Sequence, residues 1–159
     1  MRIRHAAGAD LAEVGDLTVA AYASFTLGPA DPYVEKLRDA ATRAREAELL
    51  VSEEDDVLLG TVTWCPPESP WREISRAGEG EFRMLAVNPA ARGRGVGDAL
   101  ARHCIARSRA AGDLAMVISS LPEMASAHRL YERLGFERLP KRDWSPVPGV
   151  NLVVFRLTY

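Results

Sequence analysis

Residues 81–97 read Glu-Phe-Arg-Met-Leu-Ala-Val-Asn-Pro-Ala-Ala-Arg-Gly-Arg-Gly-Val-Gly, and this stretch decides how the chain is organised. The largely apolar run up to Val87 predicts a strand, which Asn88-Pro89 ends. Three glycines then alternate with other residues at the start of a predicted helix over residues 96–111. Glycine lets a ligand approach the backbone closely, and the first N–H groups of a helix attract negative charge. The segment therefore predicts a strand–turn–helix unit that is suited to holding phosphate.

Two common phosphate-binding sequences do not match this turn. A P-loop requires Lys followed by Ser or Thr after its last glycine, whereas Asp98 follows Gly97 here. The dinucleotide fingerprint requires a small residue at position 98 and a turn that follows the first strand of its domain. Both alternatives are therefore disfavoured.

The rest of the pattern predicts a single domain spanning residues 1–159, an α/β protein with a mixed sheet. Residues 65–79 form an irregular connection, because their three prolines interrupt regular strand pairing. The predicted strands cover residues 1–6, 49–52, 57–64, 81–87, 115–120, 138–139 and 150–159, and the predicted helices cover residues 11–21, 33–47, 96–111 and 125–134.

Composition limits the function classes. The formal net charge is −2, with 47% hydrophobic and 26% charged residues, which excludes disorder and provides no basic surface for nucleic acid or membrane. Cys65 and Cys104 are too few for a disulfide framework and share no metal-ligand spacing with the histidines. We see no signal peptide and no stretch of about 20 apolar residues. We therefore expect no metal and a cytoplasmic location.

Two motifs resemble those of the GNAT (GCN5-related N-acetyltransferase) superfamily. The first is Arg92-x-x-Gly95-x-Gly97 directly after Leu85-Ala86-Val87-x-Pro89, which looks like the family's acyl-CoA pyrophosphate loop. The second is Ala127-x-x-Leu130-Tyr131-x-x-Leu134-Gly135-Phe136, which resembles its later helix. The resemblance is dense over residues 81–136. It implies a central mixed sheet of about six to seven strands with about four helices on both faces.

The resemblance also implies acetyl-CoA, or another acyl-CoA, as the acyl donor. In the family the pantetheine arm lies between two splayed parallel strands, here 85–87 and 115–120. Two departures stand out. Asp98 places a negative side chain near the phosphates and must point outward or act as a helix-start residue. Met124 replaces an Asn, so that the polar contact is either absent or supplied by Ser126. The implied cofactor-binding residues are Leu85, Ala86, Val87, Arg92, Gly93, Arg94, Gly95, Val96, Gly97, Asp98 and Ser126.

Acyl transfer to an amine needs a base, donors for the developing oxyanion and an acid for the departing thiolate. Tyr131 stands where relatives place the acid, and a backbone N–H near Leu85 is the family-like oxyanion donor. Glu81 is the candidate base, because strand alternation places it on one face with Arg83 and Leu85. Glu79, Glu73 and a water chain remain alternatives.

The acceptor implied is an amine of a small molecule or a protein. Its pocket is expected between residues 22–33, 65–80 and 142–150, and the candidate pocket residues are Tyr22, Phe25, Tyr33 and Trp144. The rival interpretation is a non-catalytic acyl-CoA-binding module of the same fold, and O-acylation of a hydroxyl needs the same cofactor site. A homodimer is compatible with either function.

Overall fold

The computed structural model describes residues 1–159, in which one mixed sheet carries helices on both faces. Its eight strands are β1 (Arg2–His5), β2 (Glu48–Glu54), β3 (Val57–Trp64), β4 (Glu79–Val87), β5 (Ala115–Ser120), β6 (Glu137–Arg138), β7 (Trp144–Val147) and β8 (Val150–Thr158). Its helices are α1 (Leu11–Tyr22), α2 (Pro32–Arg38), α3 (Ala40–Glu46), α4 (Val96–Ala110) and α5 (Ala125–Arg133).

The strands follow the order β1-β2-β3-β4-β5-β8-β6, and β7 pairs with β8. Every neighbouring pair is antiparallel except β4 and β5, which run parallel at the centre of the sheet. The connection between these two strands is α4, as expected for a parallel crossover. The mixed sheet expected from the sequence is confirmed.

Apolar residues fill both sides of the sheet. The largest buried cluster joins Leu100 of α4 and Leu130 of α5 to inward residues of the strands, such as Ile118. Two smaller clusters lie on the opposite face, under α1–α3, around Val14 and Leu37. The burial of both faces stabilises the sheet and fixes which strand residues face each set of helices.

The single helix expected over residues 33–47 is wrong, because the chain breaks at Asp39. Asp39 has φ −77° and ψ 70°, and its carboxylate accepts a 3.0 Å hydrogen bond from the Thr42 backbone N–H, so it caps α3. The guanidinium of Arg43 donates to the carbonyls of Lys36 and Leu37 at 2.8 and 2.9 Å, which satisfies the end of α2. Together these side chains make two short helices more favourable than one.

The strand count also exceeds the expected six to seven. The additional strand is β7, which forms a hairpin with β8 despite its proline, since Trp144 and Val147 pair with Leu152 and Val150. Pro146 is tolerated because β7 pairs with β8 alone and therefore lies at a sheet edge. None of the helices combines the length and the apolar character that crossing a membrane requires.

Candidate active site

The centre of the sheet opens along β4. Strands β4 and β5 pair only where Glu79, Gly80 and Glu81 lie opposite residues 115–117. Beyond that point β4 continues to Val87 and β5 continues to Ser120 without pairing. The β5-facing backbone groups of residues 82–87 are therefore available to an extended chain carrying amides. This is the splayed arrangement that the family resemblance implies.

A β-bulge interrupts β4 beside this opening. The register with β3 jumps from Thr61↔Ala86 to Thr63↔Arg83, so two residues of β4, Met84 and Leu85, lie opposite a single residue of β3. Met84 has φ +51°, a left-handed conformation that costs a non-glycine residue about 1–3 kcal/mol. Strain of this kind and bulges are both enriched next to functional sites.

The bulge makes the expected strand alternation wrong. Leu85 and Val87 pack against the cluster under α4 and α5, whereas Met84 belongs to the cluster with Leu37 on the other face. Arg83 lies over the ring of Trp71, which is also in that second cluster. Glu81 and Arg83 therefore face α1–α3, and Leu85 and Val87 face away from them, because the extra residue reverses the alternation.

The glycine-rich turn has the geometry of an anion site. Gly93 and Gly95 have φ +79° and +77°, and a Cβ at either position would meet nothing within 4 Å. Gly95 precedes α4 without a side-chain cap, and the first helical hydrogen bond runs from the Ala99 N–H to the Gly95 carbonyl. The first N–H groups of α4 thus have no helical partner. A Cβ at Gly97 would lie 3.3 Å from Leu130, so the turn packs closely on α5.

The side chains around the turn have different roles. Asp98 accepts a 2.6 Å hydrogen bond from Arg102, one helical turn along α4, so its charge is already paired. Arg94 pairs with Glu54 of β2. Arg92 is exposed and forms no ion pair, whereas Val96 is buried in the core and offers only its backbone. Ser126, at the start of α5, accepts a 2.9 Å hydrogen bond from Arg129.

Tyr131 lies in an aromatic cluster on the α5 side of the sheet. Its ring centroid is 6.3 Å from Phe82, 5.8 Å from Phe136 and 5.6 Å from Phe155, which fixes the ring's position. Burial raises the pKa of the Tyr131 hydroxyl, so it remains protonated at neutral pH. A protonated hydroxyl at this position can serve as a proton donor.

Glu81 is a buried carboxylate surrounded by backbone donors. Its oxygens accept hydrogen bonds from the N–H groups of Glu73 at 3.0 Å, Ile74 at 3.2 Å and Ser75 at 2.9 Å. The residue is 1% exposed. These contacts attach the connection before β4 to the sheet. The residue predicted as a base thus has a structural task in holding this connection.

The structure places the four predicted pocket residues in different surroundings. Tyr22 donates a 3.4 Å hydrogen bond to the carbonyl of Leu85, and burial raises its pKa, with Tyr33 and Tyr131 adding to the rise. Burial also raises the pKa of Tyr33, which Arg83 partly opposes. Phe25 and Tyr33 are similarly exposed, 38% and 37%, and neither joins a buried cluster, but only Tyr33 lies near Arg83. Trp144 lies instead beside Ile74.

Two further side chains belong to this wall. Arg83 lies 2.8 Å from the carboxylate of Glu73 and donates to the Trp71 carbonyl at 3.2 Å. Burial raises the pKa of Glu73, as does the nearby charge of Glu81, while Arg83 lowers it. Sequence reasoning missed Arg83 as a site residue, although a charged residue inside an otherwise apolar strand was a usable signal. No group of three or more His, Cys, Asp or Glu side chains is placed to hold a metal ion.

Comparison with known proteins gives a consistent result. The mycothiol acetyltransferase of Cellulomonas flavigena is 31% identical over 144 residues, covering 77% of this chain and 40% of the relative. The N-acetylaspartate synthetase of Danio rerio is 33% identical over 71 residues, covering 45% of this chain and 25% of the relative. The chain thus spans well under half the length of these curated relatives.

A solved structure is similar over nearly the whole chain. It is an acetyltransferase from Salmonella typhimurium with its cofactor acetyl-CoA, 25% identical, covering 99% of this chain and 92% of that one, with a TM-score of 0.68. The model of the acetyltransferase (GNAT) family matches residues 15–136, which include the opened strands, the glycine-rich turn and Tyr131. The chain therefore belongs to the acetyltransferase (GNAT) family.

Proposed function

We propose that this chain transfers the acetyl group of acetyl-CoA directly to an amine of a small molecule or a protein. The observation that carries the proposal is the opening between β4 and β5, which leads to the unpartnered N–H groups at the start of α4. A ligand with amides at one end and phosphates at the other needs both features. The similar Salmonella acetyltransferase, solved with acetyl-CoA, supports the same donor.

The residues around the opening suit this cofactor. The backbone of Leu85, Ala86 and Val87 would pair with the pantetheine amides, because β5 leaves this part of β4 unpaired. The N–H groups of residues 93–98 would bind the diphosphate, and Arg92 is the side chain beside them that has no competing ion pair. When bound, acetyl-CoA supplies a thioester carbon that an amine can attack.

Tyr131 and the bulge would stabilise the negative charge that develops on the departing sulfur and on the carbonyl oxygen. The Tyr131 hydroxyl, kept protonated by burial, donates its proton to the departing sulfur. Negative charge that develops on the carbonyl oxygen needs an N–H donor, and the bulge takes Met84 and Leu85 out of the ladder with β3. Tyr22 fixes the Leu85 peptide through its hydrogen bond to the carbonyl. The bulge is thus held in place for this task.

The proton of the attacking amine needs an acceptor, since a free alkylammonium has a pKa near ~10. Glu81 was the sequence-based choice, but three backbone N–H groups already occupy its oxygens. Glu73 has a pKa raised by burial and lies beside Arg83 and Tyr33, on the acceptor side. A raised pKa makes a carboxylate a better base. We therefore assign the proton to Glu73, directly or through a water, and give Glu81 the positioning role.

Release of free thiol from acetyl-CoA in the presence of an amine panel tests the proposal. We expect amine-dependent release with the wild-type chain and little with Tyr131→Phe. Acetyl-CoA at one hundred times its Kd should stabilise the fold by about 2.7 kcal/mol, and NADH should not. Stabilisation without amine-dependent thiol release would instead support a non-catalytic acyl-CoA-binding module. No stabilisation by acetyl-CoA would contradict both functions.

A further inference from the structure

A groove lies between the connection before β4 and the segment before β8. It has a volume of about 350 Å³ and is lined by Glu73, Ile74, Arg76, Lys141, Arg142, Asp143 and Trp144. Here we call it the 73–144 groove. Its size is sufficient for a small ligand or the end of a longer one.

The charges of the 73–144 groove are unevenly paired. Its two carboxylates are engaged, Glu73 with Arg83 and Asp143 with Arg138, each at 2.8 Å. Among its cations, Arg142 is 9% exposed and pairs with Glu79 at 2.8 Å. Arg76 and Lys141 are exposed and form no ion pair within the chain. The groove therefore presents two uncompensated positive charges to a ligand.

The indole of Trp144 also lines this groove. Its Nε1 is buried and has no hydrogen-bond partner, so that atom is not open to a ligand in the groove. The two free cations, Arg76 and Lys141, therefore favour a ligand that supplies negative charge.

The groove adjoins the reaction site through Glu73. This residue lines the groove and lies 2.8 Å from Nε of Arg83, which directly precedes the bulge residue Met84. An acceptor whose amine reaches the bulge can therefore extend past Glu73 into the groove.

We propose that the 73–144 groove binds the carboxylate-bearing end of the acceptor, so that the substrate is an anionic amine. The proposal rests on the proposed acetyl transfer and adds the chemical class of its substrate. The carboxylate would lie between Arg76 and Lys141, in the groove that Trp144 also lines. The same chemistry can come from a dicarboxylic amino acid or from the N-terminus of an acidic peptide.

Steady-state kinetics with matched amines test this assignment. The acceptors are glutamate, the peptide Glu-Glu-Ala amide, and glutamine amide, which carries no carboxylate. The test variant is Arg76→Gln/Lys141→Gln, and the control is Arg45→Gln/Arg109→Gln, which removes the same charge from exposed positions outside the groove. Equal melting temperatures of both variants and the wild type show that they fold.

We expect wild-type kcat/KM to favour glutamate or the acidic peptide over glutamine amide, and whichever is preferred identifies the source. The groove variant should raise KM for that acceptor about tenfold, the scale of two partly exposed ion pairs. It should leave KM for acetyl-CoA and kcat for glutamine amide unchanged, as should the control. A wild-type preference for glutamine amide, or an equal KM in groove variant and control, would overturn the assignment.

A separate binding measurement keeps the two proposals distinguishable. Calorimetric titration of N-acetylglutamate into the wild type and the groove variant reports on the groove without turnover. We expect binding to the wild type that weakens about tenfold in the groove variant and also as salt increases. Equal binding to both would overturn the groove assignment even if acetyl transfer is observed. If no amine causes thiol release, the proposed function itself is contradicted.

Discussion

The carboxylate of Glu81 accepts a 2.9 Å hydrogen bond from the backbone N–H of Ser75. The two preceding N–H groups, of Glu73 and Ile74, bind the same carboxylate. Because Glu81 is 1% exposed, this contact fixes the connection before β4 against the sheet. The connection in turn carries Glu73 to Arg83, so the buried Glu81 positions the ion pair between these two residues.

Glu81→Gln should weaken the fold. The amide retains one acceptor oxygen but turns its NH2 group toward backbone donors, so buried N–H groups lose their partners. We expect the free energy of unfolding to fall by about 1–3 kcal/mol in urea denaturation. The control is Glu68→Gln, an exposed carboxylate on the same connection, which should stay within about 0.5 kcal/mol of the wild type. If Glu81→Gln keeps the stability of the wild type but loses the decrease of kcat/KM at low pH, then Glu81 is the base.

Glu73→Gln should act on the pH profile. Burial raises the pKa of Glu73, so the wild-type acid limb should lie above the usual range of a glutamate. As pH falls through that raised pKa, the base becomes protonated and kcat/KM decreases. Replacing the carboxylate should remove this limb and lower kcat by roughly 10²-fold or more. A variant whose acid limb overlays that of the wild type would show that Glu73 is not the base.

Gly95→Ala should weaken cofactor binding, and Gly112→Ala is its matched control. Both glycines have positive φ, +77° and +84°, and both would place Cβ in open space. Each substitution should therefore lower the free energy of unfolding by a similar amount, roughly 1–2 kcal/mol. Only Gly95 lies at the start of α4, so only its substitution should weaken acetyl-CoA binding, by about tenfold or more in calorimetry. Equal affinities in the two variants would place the phosphates elsewhere.

Tyr131→Phe should separate chemistry from packing. The ring and its contacts with Phe82, Phe136 and Phe155 remain, so the melting temperature and the acetyl-CoA affinity should change little. Loss of the proton donor should lower kcat by roughly 10²-fold where chemistry limits the rate. Tyr159→Phe, which removes a hydroxyl from the other end of the sheet, should keep wild-type kcat. Full activity of Tyr131→Phe would remove this hydroxyl from the mechanism.

The tertiary structure changed the expected site in identifiable places. Strand alternation placed Glu81 with Leu85, but the bulge at Met84 separates them onto opposite faces. The hydroxyls of Tyr22 and Tyr33 lie near Arg83, whereas Phe25, which is as exposed as Tyr33, has no such neighbour. No local pattern distinguishes these residues, because their positions depend on contacts with parts of the chain far away in sequence.

The sequence by itself determined the strand–turn–helix unit at 81–97, the start of α4 and the helix carrying Tyr131. Each rests on local chemistry: glycines that allow positive φ, a proline that ends a strand, and apolar residues at helical spacing. Only the tertiary structure decided the break at Asp39, the bulge at Met84, the backbone hydrogen bonds to the Glu81 carboxylate and the unpaired charges of the 73–144 groove. These features depend on contacts between donors and charges that are far apart in the sequence. The packing of both sheet faces determines those contacts, and neighbouring residues in the chain do not.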